Sequence, residues 1–331
     1  MKNTFFLLLF ILLFTSCNQK KFVKFSGFAQ GTTYSISYYD SEGKNYQSEV
    51  DSILKGFDRS VSIYDSTSLI SRVNKSDKPI KIDKYFSEIF NKAYIVSEQT
   101  NGAFDVTVGP LVNAFGFGFK NKVKINKTLI DSLKKLVNYK NVKIENEYII
   151  KNNPAICIDF NAIAQGYSVD VISKFLESME IENYLIEIGG EVFAKGTKDK
   201  GKQWNVGIEK PDENSKQREL KATVFLKDKA LATSGNYRKF YVENGIKYSH
   251  TIDPYTGYPV KHSLLSVSVI AGNCTDADAY ATAFMVMGLD KSLIFLKEHK
   301  ELEAYFIYSD IKGNMRTYET EGLKEFLTEN E

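Results

Sequence analysis

Hydrophobic positions recur along the chain with two periods. From Ser87 to Gln99, apolar residues fall at Ile89, Phe90, Ala93, Tyr94 and Val96, the three-and-four spacing of a helix with one buried face. Ser87 is the candidate N-cap, and Thr100-Asn101-Gly102 stops the helix. Val169, Ile172, Leu176 and Met179 repeat the helical spacing. Asp276 to Met287 reads as another helix closed by Gly288, with Asp290 capping the next. Trp204, Val206 and Ile208 alternate with Asn205, Gly207 and Glu209, as a half-buried strand does. Leu265, Val267 and Val269 alternate likewise. The strands are mostly neighbours in sequence rather than being separated by regular crossover helices. That order predicts an α+β fold, with a mixed, largely antiparallel sheet and packed helices.

The N-terminus departs from both periods. Lys2 precedes an unbroken apolar run, Phe5 to Phe14, and then Thr15-Ser16-Cys17. A positive start, a short apolar core and small residues read as a secretory signal. The run is about half of the roughly 20 residues that span a bilayer. Phe14-Thr15-Ser16-Cys17 looks like a lipoprotein box, in which Cys17 is acylated and becomes the mature N-terminus. The alternative is a signal that is uncleaved or ordinarily cleaved. On the lipoprotein reading, residues 1–16 are the signal, 17–26 a polar tether and 27–331 a single domain. The mature protein is then extracytoplasmic and lipid-anchored to a bacterial membrane, taken as the inner one.

Composition narrows the class. The 331 residues are 43% hydrophobic and 25% charged with six prolines, which excludes a disordered or collagen-like chain. Forty-three basic against 41 acidic side chains leave a net charge of +2, so no nucleic-acid partner is expected. Three cysteines make no disulfide framework, and Cys157 and Cys274 lie in apolar surroundings that suit buried free thiols. Gly196 to Lys202 fits most of a phosphate loop. Gln203 stands where a hydroxyl residue is required and a strand follows where a helix should begin, so the stretch reads as a Lys/Gly hairpin. Three histidines nearly exclude a multi-histidine zinc site.

Four segments combine small, polar and turn residues with apolar runs: Gly31 to Tyr34, Gly102 to Pro110, Asp159 to Tyr167, and His250 through Thr282. Asp278 and Thr282 are four apart on one helix face. A carboxylate and a hydroxyl are hard oxygen ligands suited to magnesium, particularly where substrate phosphates complete the shell. The competing reading makes Asp276 or Asp278 a cap and lets Thr282 bond its own backbone. His250, before the turn-forming Asp253-Pro254, is a candidate proton acceptor.

Together these segments resemble the FAD:protein FMN transferases, the ApbE family. The resemblance runs in order through Ala29 to Tyr34, Ser62 to Tyr64, Asn74, Gly102 to Asn113, Asp159 to Asp170, Ile188 to Glu191, Ala232 to Tyr237, His250 to Pro254 and Asp278 to Thr282. It implies an ApbE-like, T-fold-like architecture, FAD as substrate and dependence on Mg2+. Carried residue by residue, it puts Gln30, Tyr64, Ala103, Phe104, Asp105, Asp159, Gln165 and Ile252 at FAD, Tyr64 on a ring face. It implies metal contacts from the Ala162 carbonyl, Asp278 and Thr282. Gln30 stands where the family usually has Met, and Gln165 where many members have Lys. The implied reaction moves FMN from FAD to a threonine or serine hydroxyl of another protein through a phosphoester and releases AMP, with His250 as base. Implied acceptors are extracytoplasmic flavin-binding domains of membrane redox complexes, such as ion-pumping NADH:quinone reductases. An FAD pyrophosphatase using water as acceptor, or a flavin-binding lipoprotein without chemistry, are the alternatives.

Overall fold

The structure, a computed structural model, describes residues 20–117, 123–211, 219–236, 240–243 and 246–330. The apolar run, Cys17 and Tyr237 lie outside the described residues. The chain opens with a hairpin of β1 (Lys21–Ala29) and β2 (Thr32–Asp40). Then come α1 (Gln47–Val61), α2 (Leu69–Lys75), β3 (Ile80–Lys81), α3 (Lys84–Gln99), α4 (Gly109–Ala114) and α5 (Lys127–Lys134). A second hairpin, β4 (Val142–Glu145) and β5 (Tyr148–Lys151), leads to α6 (Ala164–Ser178), β6 (Tyr184–Ile188) and β7 (Glu191–Lys195). Next are β8 (Trp204–Glu209), β9 (Leu220–Leu226), β10 (Lys229–Gly235), β11 (Phe240–Glu243), β12 (Ile246–Ser249) and β13 (Leu264–Ala271). The chain ends with α7 (Cys274–Met287), α8 (Leu289–Glu298), β14 (Glu303–Ser309), β15 (Met315–Glu319) and β16 (Leu327–Glu329).

Eight strands form one sheet in the order β1-β2-β6-β7-β10-β13-β14-β15, and β16-β9-β8 form a smaller one. Every ladder among the described strands is antiparallel, for example β2 on β6 with Ile36 opposite Ile186, and β10 on β13 with Ala232 opposite Val269. The predicted α+β class therefore holds. Strand alternation separates two cores. Ala230, Ala232, Val267 and Val269 face the helices, whereas Leu231, Ile270, Tyr305 and Ile307 face the smaller sheet and its Trp204, Val224 and Leu226. The result is three layers, helices over the large sheet over the small one. Because both faces are covered, β13 is buried throughout except at Leu265, not on one face as its alternation suggested. Among the described residues no helix is long and apolar enough to cross a membrane.

Several boundaries differ from the sequence expectation for local reasons. Asp83, not Ser87, caps α3, its carboxylate accepting the Phe86 N–H at 2.9 Å. Asn273, not Asp276, caps α7, accepting the Asp276 N–H at 2.9 Å. Gly288 ends α7 and starts α8 at a positive φ of 76°, so Asp290 falls inside the first turn of α8. Residues 196–202 link β7 in the large sheet to β8 in the small one, so they do not close a hairpin. The polar stretch expected to be a tether is, from Lys21 onward, the edge strand β1; its lysines obscured an alternation with Val23 and Phe25 on the inner face.

Helix α7 is buried nearly all round, with Ala277, Ala279, Ala281 and Ala283 letting it press against α6 and the sheet. Phe284 anchors it, with its ring 5.6 Å from Phe295 and 6.2 Å from Phe306. Phe284→Ala is expected to cost about 3–5 kcal/mol. The urea midpoint should fall with an unchanged slope; an unaltered midpoint would remove α7 from the stabilising core.

Candidate functional site

The first turn of α6 is the point on which the sequence motifs converge. Gly166 is the third residue of α6, so its N–H has no partner within the helix. It donates to Asp278 Oδ2 of α7 at 3.0 Å, and the first helical bond of α6 is from Tyr167 N–H to the Ile163 carbonyl at 3.0 Å. Ala162 precedes the helix, so its carbonyl accepts no helical N–H. The close approach requires glycine: a Cβ on residue 166 would lie 2.3 Å from the Cys274 carbonyl oxygen and 2.7 Å from Asp278 Cβ. Asp170, one turn further along α6, holds the start of α7 by accepting the Cys274 and Thr275 N–H groups at 2.8 Å each, as well as the Thr275 hydroxyl.

Asp278 is a buried carboxylate. Burial lifts its pKa to about 7, the Gly166 N–H opposes the shift and the Asp170 charge adds to it. Asp170 is also pushed up, chiefly by burial. Asp170, Glu191 and Asp278 all add to burial in raising the Cys274 thiol well above its ordinary range. Neither Cys274, buried as expected, nor Cys157, only half-buried, forms a disulfide among the described residues. Thr282, one turn beyond Asp278, forms no side-chain hydrogen bond among the described residues, so its hydroxyl is not spent on its own backbone. No group of three His, Cys, Asp or Glu side chains able to share a cation occurs among the described residues. The set that fits a cation is one buried carboxylate, a carbonyl that accepts no helical N–H and a hydroxyl. Its oxygens are hard, and a single charge leaves room for an anionic substrate, which suits Mg2+.

The remaining expected residues surround this turn. Gln30 closes the β1–β2 turn at φ 54°, followed by Gly31 at 73°. Its amide oxygen accepts from Ser168 of α6 at 3.3 Å, and its buried Nε2 has no partner. The Gln30 N–H faces the Asp58 carboxylate of α1 and opposes the rise that burial gives that carboxyl. Gln165 packs against the β6–β7 turn, where a Cβ on Gly189 would meet its Nε2 at 2.4 Å. Tyr64 is 67% exposed, and its hydroxyl accepts from Asn161 Nδ2 at 3.4 Å. Asp159 sits beside it, its carboxyl raised to about 6 by burial, with the Asn161 N–H opposing.

Two further residues expected at FAD are buried. Asp105 is buried, and its oxygens accept from the Thr107 N–H and hydroxyl and from the Tyr139 N–H at 2.6–2.9 Å. Its side chain braces the loop. Ile252 is 4% exposed in an apolar cluster with Leu111, Phe115 and Ile130. Ala103 and Phe104 are likewise buried. The 250–260 segment is tied to the site's rim, with the Thr251 hydroxyl bonding Asn236 at 2.9 Å and the Tyr255 hydroxyl bonding the Asn101 carbonyl. His250 is half-buried, with its ring 6.4 Å from that of Phe117. The other two histidines are engaged elsewhere: His262 with the Met285 carbonyl at 2.7 Å, His299 stacked on Phe295. A charged surface cleft of about 550 Å3, lined by Lys20, Asp40, Glu177 and Lys195, contains none of the motif residues.

Sequence reasoning missed Asp170 and Asp58 as organising groups. Their only signal was placement near a motif, and what they face, two helix N–H groups and a turn N–H, is visible only in three dimensions.

The pattern of the ApbE family matches residues 30–306. The chain is 34% identical over 337 residues to the FAD:protein FMN transferase of Vibrio cholerae serotype O1, covering 99% of this chain and 100% of that protein. It is 34% identical over 319 residues to the protein of the same name from Haemophilus influenzae, covering 89% of each. Among solved structures, the flavin transferase ApbE from Vibrio cholerae superposes with a TM-score of 0.83 at 32% identity, covering 93% of this chain and 99% of that one.

The raised Asp278 carboxyl has a thermodynamic consequence. In the unfolded chain an aspartate titrates near 3.9, so between about pH 4 and 7 the unfolded state loses this proton first. Metal-free protein should therefore lose stability through this group as pH rises over that interval. Asp278→Asn keeps an acceptor for Gly166 and removes the charge. Its melting temperature without divalent cation should be a few degrees higher at about pH 8, and the fall from about pH 5 to 8 should be shallower. Superimposable pH profiles for variant and wild type would contradict the assignment.

Proposed function

The chain belongs to the ApbE family, and from that premise we propose that it transfers FMN from FAD to a hydroxyl of an acceptor protein. The observation that carries the reading is the buried Asp278 carboxylate held at the N-terminus of α6 by the Gly166 N–H. Ala162, Asp278 and Thr282 would hold Mg2+, which supplies neutralisation of the pyrophosphate oxygens and of the departing phosphate. The positive end of the α6 dipole, which carries no side-chain cap, favours the same anion. Gln30 offers its Nε2 donor, and Tyr64 offers an exposed ring face for stacking.

In the reaction, the oxygen of a threonine or serine hydroxyl attacks the phosphorus of the FMN half. The bond to the bridging oxygen breaks, AMP leaves with that oxygen, and FMN remains on the acceptor as a phosphoester. His250 takes the hydroxyl proton, a contribution of roughly 10²–10⁴ in rate. Acceptors would be extracytoplasmic flavin-binding domains of membrane redox complexes. The acylated Cys17 would keep the enzyme on the same bilayer surface, because three acyl chains exceed what a single chain can hold.

Incubation with FAD, Mg2+ and such a domain should add the mass of FMN less water to the acceptor. Asp278→Ala, or EDTA with the wild type, should lower the rate by roughly 100-fold or more. Free FMN and AMP without an acceptor adduct would instead indicate a pyrophosphatase. Retained activity in Asp278→Ala would exclude the cation site.

His250→Ala should retain FAD affinity by fluorescence quenching while single-turnover transfer falls by roughly 10²–10⁴. A variant that loses affinity but transfers normally at saturation would make His250 a binding residue.

A further inference from the structure

We propose that the outer face of β1 lies flat on an anionic lipid bilayer, with Phe22 and Phe28 in the interfacial region. The inference builds on the acylation of Cys17 and goes beyond it, because an anchor alone fixes no orientation.

Strand β1 is the free edge of the large sheet. Its inward residues, Val23 and Phe25, pack on the helical core. Its outward residues are Phe22, Lys24, Ser26 and Phe28, all exposed. The small sheet covers the outer face of the large one elsewhere, and its apolar cluster ends at Tyr39 and Leu185. Phe22 is 55% exposed, touching only the edge of that cover through Tyr39 at 5.3 Å, and Phe28 is 73% exposed.

The length of chain before β1 selects the occupant. Lys21 is four positions beyond Cys17, a reach of at most about 14 Å. The headgroup layer takes up roughly 5–8 Å of that. The start of β1 is therefore held at the lipid surface. Phe22 and Phe28 are six positions apart, about 20 Å along a strand, so both touch lipid only if β1 lies along the surface. Lys24 is on the outward face with no ion-pair partner among the described residues, and at the start of the strand Lys20 pairs with Glu182 at 2.8 Å while Lys21 donates to the Glu42 carbonyl at 3.1 Å. Exposed aromatics with flanking lysines are what an anionic interface accommodates.

The test uses the full acylated chain in vesicles of phosphatidylethanolamine and phosphatidylglycerol. Phe28→Trp places a reporter on the face. Ile311→Trp, at a fully exposed turn between β14 and β15, places one seven strand positions away, about 34 Å. Native Trp204 is 2% exposed and supplies a constant background. Lipids brominated near the headgroup end of the acyl chains should quench more than half of the emission added by Phe28→Trp and none of that added by Ile311→Trp. Equal quenching of the two reporters, or none of either, would overturn the proposal. Protection of Phe28→Trp from iodide before lipid is added would assign the face to a second copy and also overturn it. A chain that does not float with vesicles would remove both anchor and face, whereas transfer to a soluble acceptor domain reads the enzymatic function independently.

Discussion

The absence of a side chain at residue 166 is the constraint on which the site depends. It allows α6 and α7 to approach until the Gly166 N–H reaches Asp278, and a Cβ there would collide with the backbone of α7. That hydrogen bond gives a buried carboxylate a donor and places it at the first turn of α6, which Ala162 immediately precedes. Asp170 secures the arrangement from the other side by occupying the first N–H groups of α7. Because α7 also packs on β10 and β13, separating the two helices would disturb the centre of the large sheet as well.

The electrostatics follow from that geometry. Asp170 and Asp278 lie on facing helices around a buried thiol, with Glu191 at the start of β7 acting on the same sulfur. Burying carboxylates close together is costly unless something positive joins them, and the raised Asp278 carboxyl expresses that cost. Lys92 does not relieve it. Its ammonium pairs with Asp276, at 2.7 and 2.9 Å, on the outer side of α7. A pyrophosphate brought to the same turn would add negative charge. On the proposed reaction the site would therefore need a cation when its substrate is present, which would couple metal and substrate binding without any moving part.

Much of this was legible from sequence, and the gaps have physical causes. Helix spacing located α3, α6 and α7, and strand alternation located β8 and β13, because each presents a consistent apolar face. Caps were misplaced where a nearby Asp or Asn competed for the same role, as Asp83 did with Ser87 and Asn273 with Asp276. Strand β1 was hidden because its outward face alternates phenylalanine with lysine and serine, so it lacks the polar row that marks a half-buried strand. The metal candidates Asp278 and Thr282 were recognisable by their spacing, yet only the structure separates Asp278 from a helix cap. For Asp105 the structure adds partners that lie beyond the reach of sequence: its carboxylate accepts from Thr107 and Tyr139.

Strand β1 links position to chemistry. Lys21 is at one end; at the other, Ala29 leads directly into Gln30, which meets Ser168 on α6. Nine residues of strand span about 27 Å. A strand standing upright on a short leash would carry the α6 turn well clear of the headgroups, toward acceptors with tall extramembrane domains. A strand lying flat would keep the same turn beside the bilayer, where only hydroxyls on segments close to the membrane can reach it. On the proposed anchoring, the orientation of one edge strand would help determine which proteins receive flavin. It would act through distance alone, in addition to whatever the acceptor's own sequence offers the site.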